Sequence, residues 1–120
     1  MYDPKLSIII PAYNEEHRLP STLDRLFHYL RENFLHPYEV IVANDGSRDQ
    51  TAAIVRGLMK SYPQLRLMDF SKNRGRGAVV RDAMFLAAGK YILQTDADGS
   101  VGEGAVVRFV KYLDAHPEVP

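Results

Sequence analysis

Two carboxylates separated by a single alanine, Asp96 and Asp98, are the residues whose spacing points most directly to chemistry. In an extended segment, side chains two residues apart point the same way, so both carboxylates can face one ion. Carboxylate oxygens suit hard cations such as Mg²⁺ or Mn²⁺, which bridge to phosphate oxygens. Asp and Gly are also typical of polar turns, and the spacing alone does not choose between a metal site and a turn.

Asp45 follows a strand-like run and opens a turn that leads into a helix. It could cap that helix, with Ser47 and Asp49 as competing caps. Alternatively, its carboxylate could accept a hydrogen bond from a ring N–H of a nucleobase, which uracil and guanine both offer. Capping is the better interpretation of this residue taken by itself.

Two arginines flank a glycine ahead of another predicted helix, at Arg74 and Arg76. A helix N-terminus favours phosphate, and either guanidinium could neutralise a diphosphate. The loop lacks the third glycine of a dinucleotide-binding motif and the Gly-Lys-Ser/Thr ending of a P-loop. Tyr13, which follows a proline turn, could cover a base or serve as ordinary surface cover.

Short apolar runs alternate with longer amphipathic stretches along the chain. Strands are predicted at Leu6–Ile10, Glu39–Ala43, Leu65–Phe70 and Tyr91–Thr95, and helices at Ser21–Phe34, Ile54–Tyr62, Val79–Ala88 and Ala105–Ala115. Ser21 is the predicted N-cap of the first helix, since Pro20 discourages an earlier start, and Gly89 is the predicted stop of the third. Strands joined through helices favour parallel pairing with right-handed crossovers. The predicted fold is therefore an open, mostly parallel α/β sheet with helices on both faces.

Ligands of such sheets bind beyond the carboxyl ends of the strands. The segments that follow the four predicted strands are Pro11–Glu16, Asn44–Ser47, Lys72–Gly77 and Asp96–Gly99. The topology places all four at one edge, which collects carboxylates, a tyrosine and two arginines. This convergence predicts a ligand site more strongly than any single segment does.

Length and composition limit the function classes. The 120 residues suit one domain, and a net charge of zero gives no general attraction to nucleic acid. With no cysteine, the chain has neither disulfides nor thiolate metal ligands. We find no signal peptide and no apolar window of the roughly 18 to 20 residues that cross a membrane, so a cytoplasmic location is expected.

The ordered motifs resemble the inverting GT-A glycosyltransferases of family 2. The motifs that carry the resemblance are Ser7–Glu16, Val40–Ser47 and Asp96–Asp98, spread over most of the chain. Three further segments are similar to the polyprenyl-phosphate branch of this family, which includes dolichyl-phosphate glucosyltransferases and mannosyltransferases. These segments are Arg18–Pro20, Asn73–Gly77 and Gly99–Ser100. The resemblance implies a GT-A fold, with a Rossmann-like nucleotide-binding half.

The resemblance also implies a role for each matching residue. Nucleotide-binding residues would be Pro11, Tyr13, Glu15, Asp45 and Asp96, with Asp45 on the base and Asp96 near the ribose and the metal. Asp98 would hold the divalent cation, Mg²⁺ or Mn²⁺, on the donor diphosphate, with Asp96 as its partner ligand. Phosphate contacts by Arg74 or Arg76 are our own inference from the loop.

The implied reaction transfers a hexose, glucose or mannose, from a UDP- or GDP-sugar to a dolichyl or other polyprenyl phosphate with inversion. The lipid acceptor would place the full-length protein at the cytosolic face of a membrane. Residues 1–120 would form the N-terminal, nucleotide-sugar-binding part of one domain that continues beyond Pro120. Acceptor contacts would lie in that continuation, so we expect this chain alone to transfer sugar poorly or not at all.

Other functions remain compatible with parts of the pattern. A family 2 transferase acting on a saccharide or protein hydroxyl would need a general base to activate that hydroxyl. A lipid phosphate needs little such help, because its oxygen is already anionic. A receiver domain would carry acidic residues directly after its first strand, where this chain has Pro11–Asn14. A nucleotidyltransferase would usually place a Gly-rich loop there. A nucleotide-binding module without catalytic activity also remains open.

Overall fold

A computed structural model describes residues 3–98 and 102–117 of the chain. Strands and helices alternate in the order β1 (Leu6–Ala12), α1 (Leu19–Asn33), β2 (Tyr38–Asp45), α2 (Thr51–Leu58), β3 (Leu65–Phe70), α3 (Arg76–Leu86), β4 (Tyr91–Gln94) and α4 (Glu103–Ala115). The strands form one sheet in the order β3-β2-β1-β4, and every pairing is parallel. Within the described part of the chain, no helix is long and apolar enough to span a membrane.

Alternate residues of the central strands face opposite layers of helices. The larger core joins one face of β1 and β2, through residues such as Ile8 and Val40, to side chains of α1, α2 and α4. The apolar stripe of α1 supplies much of it, including the fully buried Leu23 and Leu30. Each fully buried aliphatic side chain of this kind stabilises the fold by about 1.5–3 kcal/mol.

The opposite face of the sheet is covered by α3. Val79 and Ala83 of this helix pack on Ile9, Ile41 and Ala43, and all five side chains are buried. Helices therefore lie on both faces of a parallel sheet, and the predicted three-layer α/β architecture is confirmed. The parallel pairing also brings the carboxyl ends of all four strands to one edge.

Several predicted boundaries are wrong at the edge where the site lies. Helix α1 begins at Leu19 and not at Ser21, because Pro20 fits the first turn, where a missing N–H costs no helical hydrogen bond. Strand β1 continues through Pro11 to Ala12, and β2 runs to Asp45, so Asp45 is the last strand residue and not part of a turn. Tight pairing with a neighbouring strand outweighs the local turn signals there.

Gly89 was expected to stop α3, but the helix already ends at Leu86. The glycine instead packs against β1: a Cβ at this position would lie 2.5 Å from the Ser7 backbone nitrogen. Its own N–H donates to Ser7 Oγ at 2.8 Å, and the Ser7 hydroxyl donates to the buried carboxylate of Glu39 at 2.5 Å. Glu39 also accepts from the Ala88 N–H at 2.7 Å and pairs with Arg66. This polar cluster fixes the α3–β4 connection to the sheet, at the end opposite the predicted site.

Replacing Gly89 by alanine should lower the free energy of unfolding by about 1–3 kcal/mol, because the contacting atoms belong to the backbone of a central strand and cannot move aside. The matched control is Gly57→Ala in α2, where a Cβ meets nothing within 4 Å. That change should raise stability by about 0.5–1 kcal/mol. Urea unfolding followed by circular dichroism measures both, and equal stabilities for the two variants would contradict the packing described for Gly89.

Candidate functional site

The loop after β1 is fastened to the loop after β2 by reciprocal hydrogen bonds. The Asn14 N–H donates to Ser47 Oγ at 2.9 Å, and the Asn14 side-chain oxygen accepts from the Arg48 N–H at 2.8 Å. Asn14 adopts a left-handed backbone conformation (φ 55°), which asparagine tolerates better than most residues. The Glu15 N–H donates to the buried hydroxyl of Thr51 at 2.9 Å. The two loops therefore form one unit at the edge of the sheet.

Asp49 extends this unit at the start of α2. Its carboxylate accepts from the N–H of Thr51, the first residue of α2, at 3.0 Å and from the Glu16 N–H at 3.2 Å, while the N-cap position itself is Gln50. Burial opposes its ionisation, but hydrogen bonds from Thr51, Glu16 and its own backbone outweigh this and hold the pKa of Asp49 below its usual value. The acid therefore stays ionised where the two loops meet.

A small open pocket lies where the loops converge. It has a volume of about 180 Å³ and is lined by Pro11, Ala12, Tyr13, Glu15, Asp45 and Arg76. Tyr13 is 44% exposed, so its ring is available to a ligand. Small-molecule sites commonly measure about 300–1,000 Å³, so this pocket has room for only part of a ligand of that size. The structure thus brings together five of the predicted site residues.

Glu15 is held in place by Arg18, a residue singled out in the sequence only as part of a motif. The guanidinium bonds both carboxylate oxygens, with Nε–Oε1 at 2.9 Å and Nη2–Oε2 at 2.8 Å. Hydrogen bonding and charge from Glu15 raise the pKa of Arg18, and Asp98 adds a smaller contribution. Arg18 therefore connects the first loop electrostatically to the second carboxylate of the acidic pair.

The acidic pair lies in an irregular segment after β4. The expected extended conformation is wrong: β4 ends at Gln94, and Ala97 and Asp98 form a turn. The buried Ala97 carbonyl accepts from Thr22 Oγ1 of α1 at 2.8 Å, which anchors the turn between the two acids. Gly99 and Ser100, which the resemblance also used, lie outside the described residues.

Asp96 contacts Arg76, and this ion pair borders the pocket. The Asp96 side chain is 35% exposed. In the amide orientation that satisfies both groups, the Gln94 oxygen accepts from Arg76 Nη2 at 2.7 Å and from Nε at 3.1 Å. Gln94 was not predicted as a site residue, and its place in the last position of a strand was the only signal for it.

The two arginines of the loop point to different places. Arg74 pairs with Asp82 of α3 at 2.5 Å, and its guanidinium lies 5.1 Å from the centre of the Phe70 ring. Arg76, two residues later, lines the pocket. The side chain with access to a pocket ligand is therefore Arg76.

Asp45 faces the same loop and is 5% exposed. Its carboxylate accepts from the backbone N–H groups of Arg74 and Gly75, at 2.6 and 3.0 Å. Those bonds belong to the loop before α3, so Asp45 does not serve as the cap of α2. Its position in the pocket wall is compatible with the base contact that the resemblance implies.

The donor set is compatible with a divalent cation shared with a ligand. Asp98 is exposed and Asp96 partly exposed, and both are hard oxygen ligands. Over residues 3–98 and 102–117, no cluster of three or more metal-ligating side chains occurs. Mg²⁺ typically uses one or two carboxylates together with substrate phosphates and water, and two aspartates match that pattern.

A larger groove of about 670 Å³ lies elsewhere, between β4 and α4. It is lined by apolar and aromatic side chains such as Leu93, Phe109 and Tyr112, with Lys90 at its margin. The groove lacks the carboxylates and arginines that converge at the strand ends. The smaller pocket is therefore the better candidate for chemistry.

Comparisons with known proteins show which proteins this chain is similar to. The family model described as Glycosyl transferase family 2 matches residues 7–119. A dolichyl-phosphate beta-glucosyltransferase of Drosophila melanogaster is 43% identical over 104 residues, which are 80% of this chain and 31% of that protein. The Homo sapiens enzyme of the same name is 39% identical over 116 residues, covering 92% of this chain and 36% of that protein. The chain thus spans about a third of the length of these relatives.

Solved structures show the same architecture. A Pyrobaculum calidifontis mannosyltransferase in complex with GDP-Man and Mn²⁺ has a TM-score of 0.77 and 29% identity, covering 94% of this chain and 33% of that one. S. aureus TarS in complex with UDP-GlcNAc has a TM-score of 0.76 and 28% identity, covering 93% and 32%. With the family model matched over nearly all its residues, this chain belongs to glycosyl transferase family 2 and has the GT-A fold.

Proposed function

We propose that this chain forms the nucleotide-sugar-binding part of a glycosyltransferase that moves a hexose, glucose or mannose, to a dolichyl or other polyprenyl phosphate with inversion. The observation that carries the proposal is the grouping of Pro11, Tyr13, Glu15 and Asp45 in one pocket with the Arg76–Asp96 pair at its border. Relatives at about 40% identity that are named dolichyl-phosphate beta-glucosyltransferases support the acceptor class.

The pocket would receive the nucleoside part of the donor. The exposed Tyr13 ring offers a flat apolar surface to a base, and the Asp45 carboxylate offers an acceptor to a ring N–H. Glu15, held by Arg18, forms part of the wall. The pocket volume suits a base with part of its ribose better than a whole nucleotide sugar.

The diphosphate would lie between Arg76 and the acidic pair. Asp96 and Asp98 would hold Mg²⁺ or Mn²⁺, and a structural relative in complex with GDP-Man and Mn²⁺ supports a divalent cation. When bound, the cation supplies a Lewis acid that stabilises negative charge on the departing nucleoside diphosphate. Arg76 would donate hydrogen bonds to the same phosphates from the other side.

The acceptor oxygen would attack the anomeric carbon as the bond to the diphosphate breaks. A lipid phosphate brings an oxygen that is already anionic, so this step needs little help from a general base. The reaction would take place at a membrane surface, and we place it on the cytosolic side. Residues that bind the acceptor are assigned to the remainder of the domain, so this chain alone should show little or no transfer.

The metal assignment predicts that nucleotide binding depends on a divalent cation. Isothermal titration with UDP and with GDP should show binding of at least one of them that Mn²⁺ strengthens about tenfold or more. Asp98→Ala should remove most of this gain, because one of two protein ligands is lost. The control Asp24→Asn changes a carboxylate on the outer side of α1 that accepts a hydrogen bond from the Tyr62 hydroxyl. This variant should keep the full strengthening of nucleotide binding by Mn²⁺. Binding that Mn²⁺ does not affect would count against the assignment.

The orientation of the two arginines predicts that they are not equivalent. At saturating Mn²⁺, Arg76→Met should weaken binding of the nucleoside diphosphate about tenfold, corresponding to one charge-assisted hydrogen bond. Arg74→Met should change it less than about threefold, since that side chain pairs with Asp82. The same titration measures both variants, and the reverse order of effects would refute the placement of the diphosphate beside Arg76.

A further inference from the structure

The carboxylate of Asp45 binds two consecutive backbone N–H groups of the loop between β3 and α3. Oδ1 accepts from Arg74 at 2.6 Å and Oδ2 from Gly75 at 3.0 Å. A third bond joins the same segments, from the Asn73 side-chain amide to the Asp45 carbonyl at 3.2 Å. One almost fully buried side chain thus holds the loop at two successive residues.

The backbones of the two segments are also in direct contact. A Cβ at Gly46 would lie 2.4 Å from the Asn73 nitrogen and 2.5 Å from the Lys72 carbonyl carbon, so only glycine allows this approach. Gly75 has φ 94°, a conformation that other residues rarely adopt. It turns the chain from the carboxylate into α3, which begins at the next residue, Arg76.

Asp45 therefore occupies the N–H groups of the loop just before α3. A phosphate could use these donors only by displacing the carboxylate. Arg76 follows directly after the two bonded residues, and its side chain lines the pocket, where it can serve an anion. The guanidinium reaches Asp96 and the pocket from that position.

From this geometry we infer that Asp45 is a positioning residue for Arg76: it fixes the loop so that the guanidinium faces the pocket and is prepared to bind the diphosphate. The inference rests on the proposed function, because it assigns the diphosphate to Arg76. It differs from the base contact implied for Asp45, since it acts through another residue and concerns the phosphates.

Two substitutions remove the positioning in different ways. Asp45→Asn keeps one acceptor and directs an amide N–H at a backbone N–H, so one of the two bonds is lost. Gly75→Ala leaves the carboxylate intact but disfavours the positive φ, and its Cβ meets nothing within 4 Å. Gly77→Ala is the matched control, since it lies two residues further in α3 with equally open space and no positive φ.

Titrations at saturating Mn²⁺ compare a nucleoside diphosphate with its parent nucleoside, UDP with uridine or GDP with guanosine. Gly75→Ala, which leaves the Asp45 carboxylate in place, should weaken binding of the nucleoside diphosphate about tenfold and leave binding of the nucleoside within about twofold. It should cause no further loss when Arg76 is already methionine. Asp45→Asn should weaken binding of the nucleoside diphosphate more than binding of the nucleoside, because it loses the loop contact in addition to the base contact. Gly77→Ala should stay near the wild type. If Asp45→Asn weakens binding of the nucleoside as much as binding of the nucleoside diphosphate, or Gly75→Ala has no effect, the positioning role is refuted and Asp45 keeps only its base contact.

Amide hydrogen exchange by NMR tests the loop without any ligand. In Asp45→Asn, the Arg74 and Gly75 amides should exchange about tenfold faster than in the wild type, while amides of α1 remain unchanged. Unchanged exchange at both residues would overturn the inference even if nucleotides bind. A wild type that binds neither UDP nor GDP would instead refute the proposed function, and the exchange rates would still show whether Asp45 holds the loop.

Discussion

Parallel pairing between β1 and β2 determines where every other part of the site can lie. The register sets Pro11 beside Ala43 and Ala12 beside Asn44, so both strands end at the same level. Their loops then leave the sheet side by side, which allows the bonds from Asn14 to the second loop. On the other side, β4 pairs with β1 only as far as Gln94, and the acidic pair follows directly beyond that point. The pocket exists because the segments after these three strands leave the sheet at the same edge.

Charge at this edge is balanced locally by pairs of opposite sign. Arg18 joins Glu15 and lies within electrostatic range of Asp98, while Arg76 joins Asp96. Carboxylates gathered without these cations would repel one another and disfavour the compact arrangement of the loops. The pairs are at least partly exposed, so each contributes only modestly to stability. Their main effect is to orient side chains. Under the proposed function, a bound cation would replace Arg76 at Asp96 without leaving a buried charge uncompensated.

The fold and the location of the site could be predicted from the sequence because they depend on periodicity and topology. Apolar runs and helical stripes indicated the eight elements found in the described residues, and the parallel sheet then placed the loops together. The predicted boundaries near Pro11 and Pro20 were wrong for two different reasons. Strand pairing outweighs the turn preference of Pro11, and the first turn of a helix tolerates Pro20. The bonds of Asp45 to a loop 29 residues later depend on side-chain direction and backbone approach, which no local pattern encodes.

In the proposed site, Asp45 holds the loop and Arg76 contacts the phosphates. This difference in role matters for a reaction in which the ligand changes charge. Backbone N–H groups at a helix start are fixed in space and bind one anion geometry well. An arginine on an open edge, with its side chain 58% exposed, can follow a diphosphate whose negative charge grows as the bond to the sugar breaks. The N–H groups of Arg74 and Gly75 are fixed donors of this kind, and they are bonded to the Asp45 carboxylate. Under the proposed function, this arrangement favours stabilisation of the leaving group together with its release.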